Sequence, residues 1–310
     1  MVKVRKLSQV SKELDVHLLV ERFLEMCNAQ GLTKDTLNSH RYALQAFFEI
    51  NKGGLSDEMI LKREVGQLLK GKQDAYYNKQ LNALRQFFAY CIEEEVLKTN
   101  PAITYKYRRP TVQVVDHSEV SVKAFLKVID QSTFSGLRDY AFCILILDTG
   151  IRPSEALQIK IEDIKLECKQ IRVQREYSKT RKERYLPVSS QVFQVLRKLI
   201  SVRPTDWKED VPVLCTYDGR RMPARNMQKR FRDYSLMIKE DISPYHLRHI
   251  FGLGFIRNGG DAFSLQRIMG HESLDMTKVY VNLANEDIQA SHAKASPLVN
   301  LMNNRRVKKI

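Results

Sequence analysis

Between Ser243 and Leu283 one arginine (Arg248), three histidines (His246, His249, His271) and a tyrosine (Tyr280) are set among apolar helical runs. That mixture is unusual for a plain core, and the chemistry it fits is phosphate handling with a tyrosine nucleophile. Upstream, Arg152 stands just before Pro153 at the start of a helix, where a guanidinium beside free backbone amides favours an anion. Lys179 lies in the polar turn SKTRKER, a cation on a mobile hairpin. The three histidines make a poor metal triad, because no carboxylate lies at a matching helical offset and Arg248 repels a cation. No metal and no cofactor are expected.

These groups need a scaffold. From Leu14 onward, Leu19, Phe23, Met26 and Cys27 recur at helical spacing until Gly31. Thr33 is a good N-cap for a second helix bearing Leu37, Leu44, Phe47 and Phe48. Asp57 to Leu69 makes a weaker third helix. Tyr77, Leu81, Leu84, Phe88 and Cys91 mark the strongest one, closed by Asn100-Pro101. Residues 13–103 therefore read as a helical domain behind a basic lead, 1–12. Its exposed faces are expected to offer Lys34, Asn38, His40, Arg41, Lys79, Asn82 and Arg85 to phosphates and base edges. Residues 104–116 read as an extended linker whose Arg108 and Arg109 lie along a phosphate backbone.

A second domain, 117–310, begins where Ser118 caps a helix running through Lys127. Gly136 is expected to break the chain ahead of an apolar helix, Leu137 to Asp148. Ile171, Val173, Tyr185, Leu186 and Val188 flank a basic finger, Arg175 to Arg184, giving a small antiparallel sheet with Lys179 and Arg181 on its hairpin. Helices return at 190–201 and 226–237, and a last one at 287–294 precedes the basic tail Arg305 to Lys309. The fold class is mostly α with a small antiparallel β-sheet.

Composition limits the partners. The chain has 310 residues, with 51 Lys and Arg against 36 Asp and Glu, a net charge of +15. Both the first 110 residues and the remainder carry the excess, so an anionic polymer touching both domains is expected. Five scattered cysteines without CxxC spacing read as buried thiols of a reducing compartment. No run of about 18 apolar residues exists and the first residues lack a signal-peptide core, which excludes a membrane span and points to the cytoplasm.

Taken together, DTGIRPSEALQIK around Arg152, SKTRKERYLPV around Lys179, SPYHLRHIFG around Arg248, IMGHES around His271 and TKVYVNL around Tyr280 resemble the tyrosine recombinase (phage integrase) family, in a two-domain, Xer-like form. Order and spacing agree, and the resemblance spans the chain. It implies an N-terminal helical core-binding, SAM-like domain and a mixed α/β catalytic domain closing as a clamp around duplex DNA. It further implies site-specific cleavage and rejoining through a 3′-phosphotyrosine, serving integration, excision or resolution of a mobile element or replicon. In this scheme Tyr280 attacks, Arg152 and Arg248 clamp the nonbridging oxygens, Lys179 protonates the departing 5′-oxygen and His271 donates to the phosphate. Glu155 and His249 support the site from behind, His249 by steadying the arginine. The expected partners are double-stranded DNA with specific core sites and further copies of the chain, forming a tetramer on two sites through the C-terminal helix, with room for accessory proteins. Work on the nucleoid follows.

One position departs from the pattern. The family usually has His-x-x-Arg, and Tyr245 stands three residues before Arg248. A phenol donates a hydrogen bond but is a poor base at neutral pH, and His246, one residue on, points about 100° away around the helix. Two other readings remain: a type IB topoisomerase-like enzyme that relaxes DNA without exchanging partners, and a non-catalytic DNA-binding regulator, which predicts loss of an arginine or the tyrosine.

Overall fold

The computed structural model describes residues 15–52, 54–55, 57–109 and 117–284, with residues 292, 296 and 298. The basic lead 1–12, linker residues 110–116, and most of the expected 287–294 helix and the 305–309 tail lie outside the described residues. The chain divides into two compact units, Met1–Val112 and Gln113–Ile310.

In the first unit four helices follow one another: α1 (Val16–Ala29), α2 (Lys34–Ile50), α3 (Glu58–Leu69) and α4 (Asp74–Glu93). Asp15, Thr33 and Asp57 cap the first three by accepting early backbone N–H groups. Phe23, Phe47, Phe87 and Phe88 are fully buried and meet edge to face, with ring centroids 5.5 Å apart for Phe23–Phe87 and Phe47–Phe88.

The polar residues of this unit divide into three groups. Lys34, Asn38, Lys79 and Arg109 are exposed. His40 is not: it is 2% exposed and packs 6.0 Å from the Phe23 ring, so the expectation of a DNA contact there is corrected. The third group is engaged with the chain itself. Arg41 forms an ion pair with Glu21. Arg85 donates to the carbonyls of Ala102 (3.3 Å), Ile103 (3.0 Å) and Tyr105. Asn82 accepts from the Tyr107 hydroxyl at 3.2 Å, and the Arg108 guanidinium lies 3.9 Å over Tyr77.

The second unit contains α5 (Glu119–Lys127), α6 (Phe134–Thr149), the short α7 (Pro153–Ala156) and a 3-10 turn, Ile161–Asp163. Strands β1 (Ile164–Lys165), β2 (Gln170–Val173) and β3 (Arg184–Pro187) come next. Helices α8 (Ser190–Ser201), α9 (Ala224–Ile238), α10 (Pro244–Arg257), α11 (Ala262–Met269) and α12 (Asp275–Ala284) complete it. The strands form an antiparallel sheet in the order β1-β2-β3, with Ile171 opposite Leu186. Lys179 and Arg181 sit on the β2–β3 connection.

Helix α6 is the axis of this unit, buried on most of its surface and packed against α8 and α10. Gly136 does not break the chain. It is the third residue of α6, where its N–H donates to Thr133 Oγ1 at 3.0 Å and a side chain would collide with the Asp130 carbonyl. Beneath α6, the buried Asp139 accepts from Arg138, Arg230 and the Tyr234 hydroxyl, tying α6 to α9. The cysteines are free thiols, and the expectation that all are buried is corrected at Cys168, which is exposed.

Candidate active site

The site is built from chain turns that follow directly from local sequence. Gly150 ends α6 with φ +59°, its N–H returning to Ile146 O at 2.8 Å. Two residues later Arg152 is the N-cap of α7, with Pro153 in the first turn and the Glu155 carboxylate accepting the Arg152 N–H at 3.3 Å. Gly270 ends α11 in the same left-handed conformation, φ +66°, leaving the last carbonyls of that helix to outside donors.

Those donors are three arginines. Ile268 O accepts from Arg184 Nε at 3.1 Å, Met269 O from Arg248 Nη2 at 2.9 Å and Gly270 O from Arg152 Nη2 at 2.6 Å. Arg248 also donates to Gly150 O, joining the ends of α6 and α11. A single carboxylate, Glu155, lies among them. It is 3.1 Å from Arg152 Nη1 and 2.5 Å from Arg184 Nη2, and it accepts the Lys179 N–H at 3.4 Å. Although burial opposes ionisation, the Arg184 hydrogen bond and the charges of Arg184 and Arg152 hold its pKa below the usual carboxylate value. Burial first, and then Arg152, push the Arg248 pKa down to about 10. Three clustered cations against one anion leave a site short of negative charge.

Tyr280, on α12, faces this cluster and is 4% exposed. Its ring lies nearly parallel to that of His271, with centroids 6.2 Å apart and an interplanar angle of 8°. Its hydroxyl is 2.8 Å from His249 Nδ1. Burial raises the Tyr280 pKa, opposed by Arg248. His271 Nδ1 is 2.8 Å from the Thr277 hydroxyl on the helix that carries Tyr280. Its pKa is lowered to about 4, by burial and then by Arg248 and Arg152, so the ring is neutral.

The structure thus brings together Arg152, Glu155, Arg248, His249, His271 and Tyr280. Lys179 joins them through its backbone, while its side chain is exposed on the hairpin, as is that of Arg181. Tyr245 is 51% exposed. His246 belongs to the helix end: it accepts the Ser243 N–H at 3.3 Å and lies 3.0 Å from His117 Nε2. The three histidines weighed as a metal triad therefore face three different partners. Sequence reasoning missed Arg184 and Thr277. The available signals were the alternation of β3, which sets Arg184 apart from the exposed Tyr185, and the position of Thr277 one helical turn before Tyr280. It also assigned His249 to the arginine, whereas its hydrogen bond goes to the tyrosine.

Known proteins share this architecture. Residues 115–287 match the model of the phage integrase family. The tyrosine recombinase XerC of Escherichia coli O157:H7 is 27% identical over 293 residues, covering 91% of this chain and 97% of its own. Among solved structures, a Tn1549 transposon integrase in complex with transposon right end DNA superposes with a TM-score of 0.70 at 19% identity, over 91% of this chain and 99% of that one. The XerH recombinase bound to its difH substrate gives 0.68 at 21%, over 90% and 95%. A lambda integrase dimer bound to a COC′ core site gives 0.69 at 16%, over 84% and 96%. These likenesses show the fold, and with more than half of its length matched by the family model, the chain belongs to the phage integrase family.

Proposed function

We propose that Tyr280 is the nucleophile with which this site-specific recombinase breaks DNA. The observation that carries the assignment is the buried phenol next to Arg248, itself clustered with Arg152 and Arg184, which share the carboxylate of Glu155. Clustered, partly desolvated cations are costly unless an anion joins them, and a phosphodiester meets that need in a fork geometry lysine lacks. The Tyr280 oxygen attacks phosphorus, the bond to the 5′-oxygen breaks, and the DNA is left with a 3′-phosphotyrosine and a 5′-hydroxyl. Arg152 and Arg248 stabilise the charge of the pentacoordinate state, with His271 donating to a phosphate oxygen. Lys179, exposed on its hairpin, supplies the proton to the leaving oxygen. Because the ester energy is held in the covalent link, attack by another 5′-hydroxyl rejoins strands without a nucleotide cofactor.

The partner in this reading is a duplex core site; of the solved structures with this fold, a lambda integrase is bound to a core site and a Tn1549 integrase to transposon right end DNA. The exposed Lys34, Asn38, Lys79, Arg109 and Arg181 contact its backbone and base edges. The active form is a tetramer on two sites, acting in the cytoplasm on nucleoid DNA and assembled through the segment beyond residue 287. Removing residues 288–310 is expected to reduce synapsis more than single-site binding.

The test is a suicide substrate nicked near the scissile phosphate. The parent accumulates a covalent adduct whose phosphorylated peptide contains Tyr280, and Tyr280→Phe accumulates none. An adduct on Tyr280→Phe would remove Tyr280 from this role.

A further inference from the structure

The Tyr280 hydroxyl needs somewhere to send its proton. Burial raises its pKa, so the phenol is protonated at neutral pH and must be deprotonated as it attacks. Two histidines flank it, and their geometry separates them. His271 lies nearly parallel to the Tyr280 ring with centroids 6.2 Å apart, and its Nδ1 is engaged with the Thr277 hydroxyl and not with the phenol. His249 Nδ1 meets the hydroxyl itself at 2.8 Å. Tyr245 is half exposed, and His246 is held by Ser243 and His117.

We propose that His249 is the general base of strand cleavage and the general acid of rejoining, acting directly on the Tyr280 oxygen. With the imidazole protonated at Nε2, Nδ1 accepts the Tyr280 proton while the Tyr280 oxygen bonds to phosphorus and the bond to the 5′-oxygen breaks. The departing oxygen takes its proton from Lys179. In rejoining, the 5′-hydroxyl attacks the phosphotyrosine, Lys179 recovers a proton from it, and the His249 imidazolium returns the first proton to the Tyr280 oxygen. Each strand exchange leaves both residues as they began. The charged and titratable groups facing His249 are Arg248 and His246 on its own helix, His271 just beyond α11 and Tyr280 on α12. Burial, then His246 and Arg248, hold its pKa below 6.5, keeping it neutral and ready to accept.

This inference rests on Tyr280 being the nucleophile, and the experiment separates the two claims. Single-turnover cleavage is measured on an ordinary suicide substrate and on one with a bridging 5′-phosphorothiolate, whose sulfur leaves without a proton. His249→Ala is expected to slow both substrates by about 10²-fold, the scale of general base catalysis. His249→Gln, which keeps the volume and a hydrogen bond, is expected to do the same, and to erase the acid limb of the parent's pH profile. Lys179→Ala is expected to fail on the ordinary substrate and recover on the phosphorothiolate. The proposal is overturned if the phosphorothiolate rescues His249→Ala, or if His249→Gln cleaves at the parent rate. Adduct formation by Tyr280→Phe sinks the nucleophile assignment instead. Thermal melting and DNA binding of His249→Gln show that the variant is folded.

Discussion

Gly252 lies directly beneath the ring of Tyr280: a Cβ at residue 252 would stand 2.7 Å from Tyr280 Cε1 and 2.9 Å from Cζ. Helix α10 therefore carries a bare backbone where the α12 tyrosine crosses it, and the ring rests on that gap while His271 covers another side. Gly252→Ala must push the ring off its present position, because the three atoms nearest that Cβ all belong to the buried Tyr280 ring. A displacement of about 1 Å at a reacting atom costs about 10²-fold in rate, so cleavage of a suicide substrate is expected to fall by that order. Binding of the same DNA in a gel-shift assay is expected to be unchanged. Cleavage at the parent rate would show that the phenol works from elsewhere.

Arg184 couples the sheet to the active site. It bridges Ile268 O and the Glu155 carboxylate, and so fixes the carboxylate that in turn orients Arg152. Arg184→Ala leaves Glu155 with one partner fewer and frees a helix-end carbonyl. Single-turnover cleavage is expected to drop at least about 10-fold, equivalent to about 1.4 kcal/mol of barrier. Arg184→Lys recovers little, since an ammonium cannot serve both acceptors in the same plane. Full recovery by lysine would mean that charge alone matters at this position.

Several site residues were legible because their chemistry is written locally. Pro153 after Arg152, Gly270 before His271 and the polar turn around Lys179 are short-range signals that set the local backbone at those groups. The contacts between helices were not legible. Whether His249 faces Arg248 or Tyr280, 31 residues away, depends on how α10 crosses α12, and no periodicity reports a crossing. Two errors had readable causes. His40 stands at helical spacing from Leu37, Leu44 and Phe47, on the stripe that was already assigned to the core. Gly136 was read as a breaker, but its role is close approach to Asp130 inside a capped helix.

The depressed histidines make the fold acid-sensitive in a defined window. His271 is held at about 4 against an ordinary 6.5, and burial also lowers His249. As pH falls from 6.5 toward 4, the unfolded chain takes protons on these rings and the folded chain does not, so the unfolded state is favoured. Stability is therefore expected to rise with pH across that interval and to level off above it. The full one-proton slope is about 1.4 kcal/mol per pH unit, and partial exposure of His271 to solvent reduces it. Urea midpoints measured at several pH values check this, and His271→Gln is expected to flatten the curve. A midpoint independent of pH in this range would contradict neutral, buried rings.

The polar face of α4 leads to a last prediction, in which neighbouring cations play different roles. Asn82 and Arg85, expected with Lys79 to face a DNA groove, share a stripe with Asn78 at spacings of four and three. Instead it holds the chain that returns along α4. Asn78 exchanges hydrogen bonds with the Arg108 backbone at 2.7 and 2.8 Å, Asn82 receives the Tyr107 hydroxyl, and Arg85 gathers the carbonyls of Ala102, Ile103 and Tyr105. Lys79, on the same helix, is exposed. Arg85→Ala is thus expected to cost about 1.5–3 kcal/mol, the range for hydrogen bonds to a charged group, and to speed amide hydrogen exchange over residues 102–108. The salt dependence of DNA binding is expected to stay as it was. Lys79→Ala should do the reverse, leaving stability within about 0.5 kcal/mol while reducing the slope of log K against log salt by about one. A reduced salt slope for Arg85→Ala with unchanged hydrogen exchange would return Arg85 to the DNA interface.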